Sequence, residues 1–265
     1  MGKTLYLECY SGISGDMTVA ALLDLGADRD VLEKALYSLP IGGFHIEISR
    51  VKKSGLDACD FNVILNHDNH DHDMEYLHGK DHEYSHIHEH SHPHEHRGMR
   101  EITEIIQGSA MTDKAKKMAL HVFDVLAHAE SKAHGVPVEE VHFHEVGAID
   151  SIVDIAAIAV CMDNLDITDV IVPVLYEGTG FIRCQHGQIP VPVPAVAHIA
   201  EDHHLKLKIT DIQGELVTPT GAAVVAAFCT SEKLPEDFSI LKSGLGAGKR
   251  EHTFFIYKTF RKYLS

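Results

Sequence analysis

A histidine-rich segment interrupts the sequence and limits which parts of it can fold together. Residues 66–97, here called the histidine tract, hold eleven of the 22 histidines, with aspartate and glutamate between them and almost nothing apolar. Such a segment cannot bury enough apolar surface to offset the entropy lost on ordering, so we predict a disordered insert. Residues 1–65 and 98–248 alternate between helix and strand patterns, which predicts a mixed α/β (α+β) fold. Residues 249–265 have the composition of a divergent, basic and aromatic tail.

The imidazole density of the histidine tract predicts metal binding. Affinity for nitrogen ligands rises towards nickel, copper and zinc, so these are the expected ions. A flexible tract gathers ions but cannot impose the fixed geometry that catalysis needs. The alternative interpretation is that the histidine tract is a linker with no function of its own. The candidate ligands are His86, His88, His90, His92, His94 and His96.

A second stretch, residues 141–154, places imidazoles and carboxylates at a predicted junction between a strand and a helix. Strand alternation over residues 141–144 directs His142 and His144 to the same side. Asp150 occupies the expected N-cap of the following helix, and Asp154 lies one turn later on the same face. The candidate catalytic residues are His142, His144, Glu145, Asp150 and Asp154.

This group can either hold a divalent metal or place a base beside an acid. For metal binding, the candidate ligands are His142, His144 and Asp150. The alternative is structural: Asp150 serves only as a cap, Asp154 only complements the helix dipole, and the histidines are merely half-buried.

Two turns that lead into helices are candidate anion sites. Backbone N–H groups at a helix start face the ligand, and hydroxyl groups nearby add donors. Capping alone is the alternative for both turns, and a salt bridge is the alternative for Arg183. The candidate binding residues are Ser14, Gly15, Asp16, Arg183, Thr218, Thr220 and Gly221.

The net charge limits which binding partners are expected, and the cysteines indicate the cellular compartment. The net charge of −16 argues against nucleic acid and anionic membrane surfaces as partners. The five cysteines are scattered without a Cys-x-x-Cys pair, which suits free thiols in a reducing compartment. No signal-peptide pattern and no membrane-spanning apolar run is seen, so we expect a soluble, cytoplasmic protein.

Four motifs together carry a family resemblance. They are Ser14-Gly15-Asp16-Met17, the run from His142 to Ala148 with Asp150 and Asp154, the run from His186 to Pro192, and the run from Glu215 to Ala222. In this order, and with the histidine tract, the chain resembles the LarC family of nickel-insertion proteins. The likeness extends from near residue 3 to near Gly248.

The resemblance implies a cyclometallase, or nickel chelatase, of the lyase class. Such proteins place nickel into pyridinium-3,5-bisthiocarboxylic acid mononucleotide, with Ni–S bonds and a Ni–C bond, and consume CTP with Mg or Mn. The product is the nickel-pincer cofactor of lactate racemase. We assign the histidine tract to nickel collection, the group at 142–154 to metal binding or proton removal, and the two turns with Arg183 to phosphate binding.

The resemblance also implies partners. Members of the LarC family generally continue past a glycine-rich segment, here residues 243–248, into a C-terminal domain associated with CTP binding. We therefore expect this chain to need that domain and to be inactive alone. The mononucleotide precursor, the lactate racemase apoprotein and a second copy of the chain are the other expected partners.

Two functions from other classes stay open on the sequence. One is a non-catalytic nickel chaperone or store, which the histidine tract alone would serve. The other is a metal-dependent phosphohydrolase that uses the histidine and aspartate group. Steady hydrolysis of a nucleotide or phosphomonoester by this chain, without nickel or thiolated substrate, would support the latter.

Deletion of residues 66–97 should distinguish the enzyme from the chaperone. If the tract only gathers ions, the deletion should raise the nickel concentration needed for half-maximal activity and leave the rate at saturating nickel unchanged. Measurement of cofactor formation against free nickel checks this. Loss of function at every nickel concentration would favour the chaperone.

Overall fold

The computed structural model describes residues 2–66, 97–143, 148–184, 187–249 and 254–262, the last range by its backbone alone. The helices are α1 (Gly15–Asp24), α2 (Arg29–Leu36), α3 (Met99–Gly108), α4 (Asp113–His134), α5 (Ile149–Asn164), α6 (Pro194–Asp202) and α7 (Pro219–Phe228). The strands are β1 (Lys3–Glu8), β2 (Phe44–Lys53), β3 (Leu56–Leu65), β4 (Ile167–Ile171), β5 (Leu175–Thr179), β6 (Phe181–Cys184), β7 (Gly187–Pro190), β8 (Leu207–Gln213), β9 (Phe238–Ala247) and β10 (Phe254–Lys262). This content is consistent with the predicted α/β class, while residues 67–96 of the histidine tract, and with them its predicted disorder, lie outside the described residues.

Six strands form the main sheet, in the order β2-β3-β9-β10-β1-β4. The side chains of Leu5, Tyr6 and Leu7 on β1 are all buried, as expected for a strand that has neighbours on both edges and cover on both faces. β1 pairs in parallel with β4 and antiparallel with β10. The centre of the sheet therefore joins the two ends of the chain.

The stretch that the sequence analysis describes as a divergent tail includes a strand. The backbone of residues 254–262 forms β10, which lies between β9 and β1. Its aromatic and β-branched composition suits a strand. This stretch therefore contributes a central strand to the sheet.

Helix α1 lies so close to β9 that only glycine fits at the contact. A Cβ on Gly246 would lie 2.1 Å from the carbonyl oxygen of Met17, and one on Gly244 would lie 2.4 Å from that of Ala21. The sequence predicts a glycine loop over residues 243–248, but the structure has β9 as far as Ala247. The glycines provide room for a neighbouring helix, which a local turn pattern cannot reveal.

Helix α5 is apolar on almost every side. Its residues from Ile152 to Met162 are buried, with Asp154 as the exception. Ala148, in an extended conformation, is the N-cap of this helix. The predicted N-cap, Asp150, therefore lies in the first turn instead, because the helix begins one residue before it.

Two small β elements lie beside helices α6 and α7. β5 and β8 form a parallel pair, and β6 and β7 form an antiparallel ribbon. As predicted, Thr218 caps α7, with Pro219 at the first helical position, and its hydroxyl accepts a hydrogen bond from the Gly221 N–H at 3.1 Å. A β-bridge between Ile13 and Val217 connects this region to the turn before α1.

The thiols agree with the sequence analysis, since all five cysteines are free. Within the described ranges, no helix combines the length and apolar character that crossing a membrane requires.

Replacement of Gly246 by alanine should destabilise the fold. The new methyl group would overlap the Met17 carbonyl, and overpacking of this kind costs about 1–3 kcal/mol of unfolding free energy. Gly42→Ala is the matched control, because no atom lies within 4 Å of its Cβ position, and its expected effect is below about 0.5 kcal/mol. Urea unfolding of both variants measures the difference, and equal stabilities would contradict the close packing of α1 on β9.

Candidate active site

The beginnings of helices α1, α5 and α7 converge and bring together motifs that are far apart in the sequence. A Cβ on Gly15 would lie 2.4 Å from Oδ2 of Asp154, so α1 begins directly against the second turn of α5. A Cβ on Gly221 would lie 2.3 Å from the carbonyl oxygen of Ile13. The Ile13 carbonyl also accepts a hydrogen bond from the Thr218 N–H at 3.0 Å. The structure thus joins Ser14-Gly15-Asp16, Asp154 and the Thr218–Gly221 turn.

Asp154 is the central residue of this arrangement. Although the residue as a whole is half-buried, its Oδ1 is shielded from solvent and has no hydrogen-bond partner among the described residues. Burial raises the pKa of the Asp154 carboxyl well above its usual value, and the negative charges of Asp16 and Asp150 add to this rise. The positive charge of Lys249 opposes it. A carboxyl group in such surroundings keeps its proton to a higher pH than a solvated one, and once ionised it is the stronger base.

Asp16 lies in the first turn of α1, where its charge suits the helix dipole. The hydroxyl of Ser14 donates to the Asp16 carboxylate, so Ser14 occupies the N-cap position without making a side-chain cap bond. Thr18 in turn donates to the Ser14 carbonyl oxygen at 2.7 Å. These bonds fix the Asp16 carboxylate beside Asp154.

Glu177, a residue that the sequence analysis missed, holds the turn that leads into α7. Its side chain is fully buried, and its Oε1 accepts hydrogen bonds from the N–H groups of Gly178 and Leu216, both at 2.7 Å, and of Val217 at 3.1 Å. A carboxylate with several N–H donors is a strong acceptor. Glu177 therefore positions the segment that leads into Thr218. No local pattern signals this role, because two of its donors lie on another part of the chain.

Lys249 is a second residue that the sequence analysis missed. Its Nζ lies 3.7 Å from Oδ2 of Asp16 and 3.2 Å from Oδ1 of Asp60 on β3. It lies two residues after the end of β9, in the stretch predicted as a tail. Its partners are distant in sequence, so spacing gives no signal for it.

The predicted strand over residues 141–144 is only partly realised. A short 3₁₀ helix, Val138–Glu140, precedes it, and a single β-bridge joins Phe143 to Arg97. Phe143 is buried against Phe123, whereas His142 is exposed. Two large apolar side chains that need burial, Val141 and Phe143, thus turn His142 outward.

The predicted five-residue group therefore stays a prediction. His144, Glu145 and the tract histidines that are predicted to bind metal lie outside the described residues. Asp150 is exposed in the first turn of α5. Within the described ranges, no group of three or more His, Cys, Asp or Glu side chains is placed to hold a metal ion.

The predicted anion-binding residues differ in their placement. Ser14, Gly15, Asp16, Thr218, Thr220 and Gly221 lie in the two turns that meet. Arg183 is distant from these turns in the sequence and lies on the β6–β7 ribbon. Its side chain is exposed, and its role stays a prediction. The Gly221 N–H already binds the Thr218 hydroxyl, so capping accounts for that pair.

Comparison with known proteins places the chain among nickel-inserting proteins. The family described as "Nickel insertion protein" matches residues 5–258. A protein of Alkaliphilus metalliredigens named pyridinium-3,5-bisthiocarboxylic acid mononucleotide nickel insertion protein is 54% identical over 251 residues, which cover 95% of this chain and 58% of the relative. A protein of the same name from Clostridium acetobutylicum is 43% identical over 258 residues, which cover 94% of this chain and 61% of the relative.

These relatives are longer than the chain, which spans 58% and 61% of their lengths. The family match continues beyond Gly248, to residue 258, so it includes the beginning of β10. No solved structure matches the chain.

Asp154→Asn should stabilise the folded chain at neutral pH. Because the pKa of this carboxyl is raised in the folded state, the unfolded state releases its proton first, and wild-type stability falls as the pH rises above about 4. The asparagine cannot ionise, so the variant should unfold at a higher urea concentration than the wild type at pH 7. The stabilities of the variant and the wild type should converge towards pH 3.5, where the Asp154 carboxyl is mostly protonated in both the folded and the unfolded state. Asp30→Asn, in the exposed first turn of α2, is the control that should not show this pattern.

A variant that is less stable than the wild type at both pH values would instead indicate that the Asp154 carboxylate is ionised and paired in the fold.

Proposed function

We propose, because the chain belongs to the nickel insertion protein family, that it carries the reaction site for insertion of nickel into pyridinium-3,5-bisthiocarboxylic acid mononucleotide. The relatives that bear this name support the substrate, and the chain spans about three-fifths of their length. The activity proposed is therefore that of a longer assembly to which this chain contributes the site. The observation that carries the proposal is the buried Asp154 carboxyl where three helices begin.

The chemistry of the proposed reaction requires a proton acceptor. Formation of a bond between nickel and a ring carbon displaces the proton of that carbon, while the two thiocarboxylate sulfurs supply the other bonds to the ion. We assign Asp154 as the acceptor: the C–H electron pair becomes the carbon–nickel bond, and the proton passes to the carboxylate. A raised pKa makes this carboxylate a stronger base than a solvated one.

The arriving nickel ion prepares this base. A divalent cation near a carboxyl group favours its ionised form, so Asp154 loses its proton as the ion approaches and is then ready to accept the ring proton. Nickel is the cargo of the reaction, gathered by the histidine tract in this proposal. His142, His144, Glu145 and Asp150 complete the proposed group at the start of α5.

The turns at Ser14–Asp16 and Thr218–Gly221 are the proposed contacts for the phosphate of the mononucleotide. Their close approach brings backbone N–H groups at two helix starts to the same place, and the nearly buried Thr220 lies in one of them. Arg183 is proposed to add a positive charge. In a chain with a net charge of −16, such local donors are needed to hold an anion.

The remaining parts of the proposal come from the family resemblance. CTP with Mg or Mn is proposed to bind outside this chain, on the C-terminal domain that it needs as a partner. The finished cofactor serves lactate racemase, whose apoprotein is a further proposed partner, as is a second copy of the chain. The free thiols support the cytoplasm as the proposed compartment.

Reconstitution tests the proposal. This chain is joined to the portion of the Alkaliphilus metalliredigens relative that it does not match, and the chimera is mixed with nickel, CTP, Mg and the dithiocarboxylate precursor. We expect the nickel-bearing product by mass spectrometry from the chimera and none from the chain alone. In the chimera, Asp154→Asn should lower the rate at least ~100-fold, the typical contribution of a general base.

Asp30→Asn is the control in this assay, since it also removes a carboxylate from a helix, but one that is exposed and lies on α2. Its rate should equal that of the unmodified chimera. Full activity of the Asp154→Asn chimera would rule out Asp154 as the base.

A further inference from the structure

The ammonium group of Lys249 joins three separate parts of the fold. It donates to Oδ1 of Asp60 at 3.2 Å, to the carbonyl oxygen of Phe61 at 3.1 Å and to Oδ1 of Asn62, all on β3. Its ion pair with Asp16 reaches the beginning of α1 at 3.7 Å. Lys249 itself lies two residues after the end of β9. The ammonium therefore sits where β3, β9 and α1 meet.

The three donors of the ammonium are used on β3, and its charge faces α1. An ammonium group has three N–H bonds, which matches the three oxygen acceptors on β3. The Asp16 carboxylate lies just beyond hydrogen-bond distance, so the interaction between these two residues is electrostatic. The side chains are 28% exposed for Lys249, 14% for Asp60 and 20% for Asp16, so solvent screens this charge only partly.

The charges that face Asp154 come from several elements. Asp16 faces it from α1 and Asp150 from its own helix, and both are negative. Lys249 is the positive group that acts on it, and Asp60 on β3 lies behind this ammonium. Without Lys249, the carboxylates would face each other without compensation from this cation.

We propose that Lys249 is a positioning residue of the reaction site: anchored on β3, its ammonium fixes the Asp16 carboxylate at the start of α1 and balances the negative charge around Asp154. This inference rests on the function proposed above. Lys249 touches neither the precursor nor nickel in this scheme. It acts through Asp16 and Asp154, and it keeps Asp154 able to ionise when the base is needed.

The test compares Lys249→Gln, which keeps a polar donor but removes the charge, with Lys249→Arg, which keeps the charge. Lys34→Met, on the exposed face of α2, is the control for loss of a lysine charge elsewhere. One readout is the carboxyl ¹³C signal of Asp154 followed by NMR during a pH titration of the full chain. The other is the pH dependence of nickel insertion by the chimera.

We expect Lys249→Gln to move the Asp154 titration to higher pH by on the order of 1 unit, because an opposite charge nearby is lost. The acidic limb of the activity profile should move in the same direction, and the rate on that limb should fall about tenfold for a shift of that size. In Lys249→Arg, the Asp154 titration and the activity profile should both stay close to those of the wild type. Lys34→Met should change neither of these two measurements. A merely structural role would lower stability without moving the titration.

Each outcome decides a separate question. If no chimera inserts nickel, the proposed function fails, but the titration of Asp154 still decides the role of Lys249. An Asp154 titration in Lys249→Gln equal to that of the wild type overturns the inference, even if activity falls. If that variant does not fold, the wild-type chain serves: a resolved, slowly exchanging ¹⁵N–¹H signal from the Lys249 ammonium supports the anchoring on β3, and its absence overturns it.

Discussion

The contact between Gly15 and the Asp154 carboxyl is the constraint on which the site depends. Any side chain larger than hydrogen at residue 15 would occupy the space of the carboxyl oxygen, 2.4 Å from the Cβ position. The close approach of α1 to α5 is what shields Asp154 from water. Burial then raises the pKa of the carboxyl and turns an ordinary acidic side chain into a group suited to proton transfer.

The same device, a glycine that lets backbone approach backbone, recurs through the structure. Gly221 admits the Ile13 carbonyl beside α7, and Gly244 and Gly246 admit α1 onto β9. Each contact removes space that a side chain would need and brings polar backbone groups together instead. The α1 helix is held in this way on two sides, so the position of its first turn, with Ser14 and Asp16, is determined by the core and not by its loop.

Local patterns predicted most elements of the fold but not the contacts that complete the site. Thr218 and Pro219 mark the start of α7 because capping depends on neighbours in sequence. The sequence predicts Asp150 at the N-cap, yet Ala148 takes that place, because the helix already begins at Ile149. The close contacts of the β9 glycines, two of the three donors to Glu177 and the partners of Lys249 depend on distant segments, and no local rule encodes those distances.

The placement of β10 has a consequence for how the molecule assembles during synthesis. Thr4 of β1 pairs with residue 260, and β9 also pairs with β10, so the first strand lacks this neighbour until more than 250 further residues have been made. Contacts between residues that are so far apart in the sequence slow folding. Until then, the apolar residues of the first strand must be kept from associating with other nascent chains, a task for which cells use chaperones at the ribosome.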